Sequence, residues 1–524
     1  MKTTLYIAIL ALFTFTCKIS FSTTNNYLLS YRDDPATTVV VSWGGDDGTV
    51  YYGTSDEGTN YTNYPSNHTT DRTGNAHGHN RYFARLTGLT PNTMYYFVIH
   101  DANGATSNRF KFKTLSDDPN DPISFINGGD TRDGFKVFGI YTEDCPSGDC
   151  LEMRRAGNDL VALIRPDFVA FNGDYVQNQI TSDTQQEWDT WLTDWQRTIS
   201  SDGRMYPIMH SRGNHEDASD TYELFDIPQE EYYALNFHGG LIRYYSLNTE
   251  IDACNGVNQL NWLTSDLQMH SSGGLSDPVW KIAQYHSPTY AIGKDGNLET
   301  DQMSCWVNLF EQYGVDLVSE SDSHSTKWTW PCKANSNNDD FEQANDGIVY
   351  IGEGQWGAPH RDIYYTGANE KPYVRNHGTF DNFFFIKVNQ NSITIQCVKF
   401  ENINSVTPST DDNLGHDLPA GVTLWNPSNG DMVVITNPSA NVAEVEGKVD
   451  AIFPVPATSE VNIQFKENTS GTLELYNALG KLCKSESVNG TTHTLDIEDA
   501  CSGVNYIYIK SEDGTVESYK IVKE

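Results

Sequence analysis

Positive charge is scarce in this chain: 34 Lys and Arg stand against 70 Asp and Glu, a formal net charge of −36. Nucleic-acid-binding surfaces carry basic stripes, so this balance argues against one. Long apolar runs are also missing. Beyond the amino terminus nothing approaches the roughly 18 consecutive apolar residues that a membrane helix needs. Cysteine is sparse, nine in 524 residues, and no two have CxxC spacing, which argues against a zinc–thiolate centre. Aromatic residues are plentiful, with 11 Trp, 23 Phe and 29 Tyr. That is enough to build cores, and the length implies two to four domains. The acidity carries a constraint: an anionic substrate is repelled unless metal ions or arginines reverse the field locally.

The start, MKTTLYIAILALFTFTCKISFS, places Lys2 before an apolar stretch from Leu5 to Phe15 and then Ser20-x-Ser22. It reads as a signal peptide over residues 1–22, so the mature protein is expected outside the cell. Lipidation at Cys17 is the weaker reading. Export permits disulfides. Cys145–Cys150 and Cys483–Cys501 are candidate pairs, and the connectivity of Cys254, Cys305, Cys332 and Cys397 stays open.

Residues 23–115 contain short β-branched and aromatic runs, among them VVVSW, TVYYGT and MYYFVI, parted by turn residues, the pattern of a β-sandwich. LTGLTPNTMYYFVI resembles a fibronectin type III module, read as a scaffold or spacer. SDDPNDP (116–122) is a polar linker. From 121 to 404 strands alternate with helices, an α/β pattern: ISFING, DFVAFNGD, YPIMHSRGN, VWKIAQYHS and VDLVSES are strands. In TQQEWDTWLTDWQRTI, Trp188, Trp191 and Trp195 are spaced for one buried helix face. Residues 405–446, rich in Asp, Asn, Pro and Ser, read as a linker. Residues 447–524 form a third, β-rich part. Its AIFPVPATSEVNIQF, LELYNALGKL and final YKIVKE resemble the sorting domain of type IX secretion. The resemblance implies a small β-sandwich, that secretion machinery as partner, and a released or surface-attached product.

Five strands of the α/β region end in polar residues: GGDTRDG (128–134), NGDYVQN (172–178), RGNHED (212–217), QYHSP (284–288) and ESDSH (320–324). Each alone is an ordinary turn. Five in order suggest a shared metal site, because strand ends in α/β folds are where ligands bind. A pair of divalent cations needs a bridging carboxylate with imidazole and amide ligands around it.

On these motifs the chain resembles the calcineurin-like metallophosphoesterases, and particularly their purple-acid-phosphatase-like branch with its amino-terminal β-module. The resemblance implies two facing sheets between helix layers and two divalent ions of Mn, Zn, Fe, Mg or Ca. It also implies hydrolysis of a small phosphoester, a monoester ahead of a diester. Residue by residue it implies Asp130 on one metal and Asp174 bridging both, Asn214 and His286 on the second, and His324 closing the first. His215 is then the acid that assists the leaving group. Arg132 is expected to meet substrate oxygens or to form a structural salt bridge. Glu216 is expected beside the substrate, orienting His215, or as a plain surface carboxylate. Trp328 and Trp330 are read as a pocket wall or as core.

Two positions depart from the family pattern. Gln177 stands where the purple enzymes carry a tyrosine ligand, which predicts a colourless protein. Asp322 stands where the family has the first histidine of Gly-His-x-His, a harder ligand that shifts preference toward Mn, Mg or Ca. The competing readings are a degenerate phosphoesterase kept as a surface binding protein, and an extracellular phosphodiesterase or nuclease. The acidic stretch 335–346 lacks the glycine and glutamate of a calcium-binding loop and reads as solvated.

Overall fold

Ile123–Gly128, Phe168–Phe171 and Ile208–His210 are short apolar strands with nearly every side chain buried. They pair in parallel. Parallel neighbours need crossover connections, and the helices Cys150–Ile164 and Thr184–Trp195 supply them. The second helix turns Trp188, Trp191 and Trp195 inward, as their spacing predicts. A computed structural model of the chain describes residues 23–523 except 135, 138–139, 142–149, 179–183, 272–273, 275, 294–300, 365–369, 411–415, 438–447, 478–481, 499, 501 and 512–515. The signal segment and the Cys145–Cys150 and Cys483–Cys501 pairings lie outside the described residues. Cys254 and Cys305 form a disulfide, and Cys332 and Cys397 are buried thiols.

The parallel strands belong to a sheet of eleven strands. A second sheet of seven has Ile242–Ser246, Trp280–Gln284, Leu317–Ser319 and Val349–Gly352 in parallel at its centre. The two sheets face each other across an aromatic core: Phe168 stacks on Phe237 at 4.7 Å, and Tyr244 meets Phe125 edge-on at 5.6 Å. Beyond the second sheet, Leu263, Leu267, Trp306 and Phe310 join Ala283 and Val318 in another core. Helices on the outside and two sheets within make the central part an α/β sandwich, between β-rich parts at either end.

The amino-terminal module shares its sheet with this sandwich. Asn25–Ser30 pairs in parallel with Ile208–His210 and antiparallel with Val39–Gly44. The eleven-stranded sheet therefore runs on into the module, whose other sheet comprises Ser66–Thr69, Gly48–Gly53, Met94–Asp101 and Phe110–Lys113. The two parts are also joined by charge. Asp226, buried at the end of the helix Asp220–Phe225, accepts from Nε and Nη2 of Arg85, each at 2.7 Å. Arg72 and Arg32 approach the same carboxylate at 3.4 and 3.7 Å.

Two short strands lie among the described residues of 405–446. Thr423–Leu424 and Val433–Thr436 pair with Ser392–Lys399, and Trp425 stacks on Trp328 at 4.8 Å. Only Val433 of the second strand is fully buried. Such an edge strand, mostly facing solvent, has the polar composition of a loop. The acidic stretch 335–346 lies on a hairpin where Asp340 meets Lys371 and Tyr373.

Residues Pro438–Glu524 form a separate unit. Glu460–Asn477 pairs with Val449–Phe453, Leu482–Asp496 and Gly503–Ser511, and the last of these pairs with Val516–Lys523. Val461, Ile463, Leu473, Leu475, Ile507, Ile509 and Ile521 fill its core.

Candidate metal centre

Each strand-end motif leaves its sheet at the same side. Asp130 N donates to Gly173 O, Thr131 N to Asp174 O, and Ser321 N to His286 O, so the loops lie against one another. Asp130, Asp174, Asp322 and His324 all have φ between 50° and 69°. Such left-handed backbone is uncommon for residues with a side chain and is typical of functional loops.

Two clusters result. Ligand atoms of Asp130, Asp174 and His324 all lie within 4.8 Å of one another, and so do those of Asp174, His286 and Asp322. Asp174 belongs to both, and every member of both clusters is buried. The amide oxygen of Asn214, on an exposed residue, lies 3.0 Å from His286 Nε2 and so adds an oxygen to the second cluster.

The rings are held in one tautomer. His324 Nδ1 donates to Pro359 O at 2.6 Å, and His286 Nδ1 donates to Asn172 O at 2.8 Å. A carbonyl can only accept, so in the neutral rings Nε2 bears the lone pair. Around His286 Nε2 stand the oxygens of Asn214, Asp174 at 3.2 Å and Asp322 at 3.7 Å. His324 Nε2 faces Asp130 Oδ1 at 3.4 Å. Asp130 Oδ1, Asp174 Oδ2 and His324 Nε2 are buried without a hydrogen-bond partner among the described residues. Buried acceptors facing acceptors are costly, and divalent cations are what such a donor set fits.

The electrostatics agree. Burial, with Asp174 and Asp322 nearby, pushes the Asp130 carboxyl up to about 7 although His286 opposes it. Burial disfavours charge on His286, yet the Asp174, Asp130 and Asp322 carboxylates raise it well above the usual imidazole range. His324 is driven the other way, by burial and then by Arg132 and Arg361. The pocket thus holds an excess of buried negative charge.

His215 lies next to this pocket. Its Nδ1 donates to Gln177 O at 2.5 Å, and its Nε2 faces Asp174 Oδ2 at 3.7 Å. Arg132 is buried, with Nη1 on Gln177 Oε1 and Nε 4.0 Å from Asp174 Oδ2. Gln177 therefore holds both side chains. Tyr175 points into the core, its hydroxyl on His210 Nδ1 and Ser211 O.

Glu216 ties the ligand loops together. Its carboxylate accepts the main-chain N–H of Asp174 at 3.0 Å, Tyr175 at 2.8 Å and Gly213 at 2.7 Å. It is buried rather than a surface carboxylate, where three backbone donors of two ligand loops need an acceptor. Trp328 is core against Trp425, while Trp330 lies under Arg375 at 4.9 Å.

The segment 353–361, outside the five strand-end motifs, closes the site. Trp356 N donates to Gly129 O and Ala358 N to Asp130 O, both at 3.1 Å. Gly354 has φ +72°, and a Cβ there would lie 1.4 Å from Asp130 Oδ2. Behind the ligands, Lys327 bridges Glu320 at 2.9 Å and Glu353 at 2.7 Å in a fully buried triad. The glycines and glutamate of GIVYIGEGQWGAP were the available sequence signal.

Comparison with known proteins gives three family matches. The purple acid phosphatase N-terminal domain matches residues 24–114, the calcineurin-like phosphoesterase family 148–325, and the secretion system C-terminal sorting domain 451–524. All the motif residues except Asp130 and Arg132 fall inside the second match. Two proteins of Mycobacterium tuberculosis strains are each 26% identical over 280 residues, 48% of this chain and 51% of theirs. Purple acid phosphatase 15 of Arabidopsis thaliana is 25% identical over 276 residues, 47% of this chain and 48% of its own. The chain thus matches about half the length of these relatives. The fold is similar to that of purple acid phosphatase PPD1 from yellow lupin, at a TM-score of 0.59 and 15% identity, over 79% of this chain and 74% of that one. It is also similar to that of PhoD, at 0.53 and 10%, over 79% and 91%. The facing sheets and ordered strand-end loops thus coincide with a calcineurin-like phosphoesterase match over part of the chain, with a purple acid phosphatase N-terminal domain match ahead of it and a sorting-domain match behind.

Proposed function

We propose that the chain is an exported, metal-dependent phosphomonoesterase. The observation that carries the reading is the pair of ligand clusters joined at Asp174. Asp130, Asp174 and His324 would hold one divalent ion; Asp174, Asn214, His286 and Asp322 would hold the other. When bound, such a pair supplies Lewis acidity toward a phosphoryl group and toward water.

The chain's own residues do the rest. The Gln177 carbonyl holds the Nδ1 proton of His215, so the imidazolium form of the ring carries its second proton on Nε2, toward the site. That proton goes to the ester oxygen as its bond to phosphorus breaks, which makes alcohol the leaving group rather than alkoxide. Arg132 sets positive charge beside Asp174. Glu216, through its three N–H contacts, keeps the Asp174 and Asn214–His215 loops in register.

The hard ligand Asp322 favours Mn, Mg or Ca over zinc. Gln177 Oε1 is engaged by Arg132 and offers no phenolate, which supports a colourless protein. The sorting-domain match and the amino-terminal signal support export by the type IX route, to the medium or the cell surface.

The test is turnover of p-nitrophenyl phosphate against its bis-ester with Mn²⁺, Zn²⁺ and Fe added separately. The monoester should win, and His215→Ala should lower kcat by about 10²–10⁴-fold. No turnover of either ester under any metal would leave the degenerate scaffold standing.

A further inference from the structure

Arg361 takes no part in the reading above, yet it stands at the rim of the centre. The segment leading to it is stitched to both ligand loops: Ala358 N meets Asp130 O, and Pro359 O receives His324 Nδ1. Arg361 N then reaches His324 O at 3.3 Å, and its Nη1 donates to Asp322 O at 2.6 Å. Its backbone and one guanidinium nitrogen are thus anchored on the loop that carries Asp322 and His324. It is close enough for its charge to bear on His324, after burial and Arg132.

The guanidinium meets no carboxylate among the described residues, and the side chain is half-exposed. Several other arginines are spent on acid, Arg85 on Asp226, Arg154 on Asp194, Arg165 on Asp202 and Arg243 on Asp266, while Arg81 and Arg375 are spent on carbonyls and a hydroxyl. In a chain with a net charge of −36, an arginine without an acidic partner beside buried carboxylates is positioned for an incoming anion. Nε and Nη2 remain to donate, and their planar fork matches two oxygens of one phosphoryl group.

We infer that Arg361 recognises the doubly charged terminal phosphoryl group of the substrate and sets the preference for monoester over diester. The inference rests on the phosphoesterase reading. A monoester offers three non-bridging oxygens and nearly two charges, and a diester two and one. A charged fork at the rim therefore gains more from the monoester.

The full-length, metal-loaded protein is compared with Arg361→Ala and Arg361→Lys. Three readouts are taken: steady-state constants for p-nitrophenyl phosphate and its bis-ester, calorimetric binding of inorganic phosphate, and metal content. Arg361→Ala should raise the monoester KM and the phosphate Kd by roughly tenfold to a hundredfold. Diester kcat/KM and metal content should move far less. Arg361→Lys should fall between, keeping the charge without the fork. Unchanged phosphate affinity in Arg361→Ala would overturn the inference. So would equal losses on both esters together with lost metal, which would make Arg361 a strut for the Asp322 loop. Calorimetry separates the two readings: a wild type that turns over neither ester but binds phosphate through Arg361 sinks the enzyme and leaves the arginine's role intact. A wild type that binds no phosphate overturns it.

Discussion

His324 Nε2 and Asp130 Oδ1 face each other at 3.4 Å across the site, with the proton of the ring committed to Pro359 O on the other nitrogen. Two buried acceptors in that relation repel unless a cation lies between their lone pairs. Protein exchanged against chelator and reloaded should hold two divalent ions per chain by elemental analysis, and its Tm should rise with metal concentration. His324→Ala should retain about one ion, and Asp174→Ala should hold neither tightly, since it serves both clusters. Asp322→His should shift preference toward zinc. Full loading of Asp174→Ala would show that the clusters do not share that carboxylate.

Glu216 joins two ligand loops through three main-chain donors. Glu216→Ala leaves those donors buried and unpaired, at about 1–3 kcal/mol each. Urea denaturation should show a loss of at least about 3 kcal/mol, and activity should fall with it as Asp174 and Asn214 drift. Normal stability in Glu216→Ala would return Glu216 to a substrate-facing role.

Asp226 gathers Arg85, Arg72 and Arg32 from the amino-terminal module, at the end of the helix that follows the Asn214–His215 loop. Removing one partner of a buried ion cluster costs about 3–5 kcal/mol. Asp226→Ala should therefore lower stability by that order. It should also expose the module to limited proteolysis, and His215-dependent turnover should fall although no ligand is changed.

Acid stability has a local reporter in Asp167. Burial would raise this carboxyl, but the bond and charge of His416, the charge of His238 and the Ser124 N–H outweigh it and hold the group at about 2. An unfolded aspartate titrates near 3.9. A depressed folded pKa contributes stability that is present above the unfolded value and lost as pH falls through the folded one. Wild type should exceed Asp167→Asn by about 2 kcal/mol at pH 7. Denaturation curves should show that margin shrinking below pH 4 and gone near pH 2; a margin independent of pH would assign the effect to packing.

The order of parts and the residue types of the centre were legible in the linear chain. Apolar runs such as FVAF and VDLVS mark buried strands, and Asp130, Asp174, Asn214, His286, Asp322 and His324 follow such runs within a few residues. That information is local, a matter of periodicity and of where it stops. The direction of a side chain is not local. Glu216 and His215 are adjacent in sequence and both meet the loop 174–177, yet Glu216 takes its N–H groups while His215 takes the Gln177 carbonyl and turns Nε2 to Asp174 Oδ2. The edge strand Val433–Thr436 looks like a linker until Ser392–Lys399 gives it a ladder. The segment 353–361 lies outside the five strand-end motifs; it matters because the second sheet returns the chain past His324. Sequence alone determined which chemical groups leave the sheets and in what order. Only the tertiary structure decided which of them meet, because their meeting depends on contacts between loops far apart along the chain.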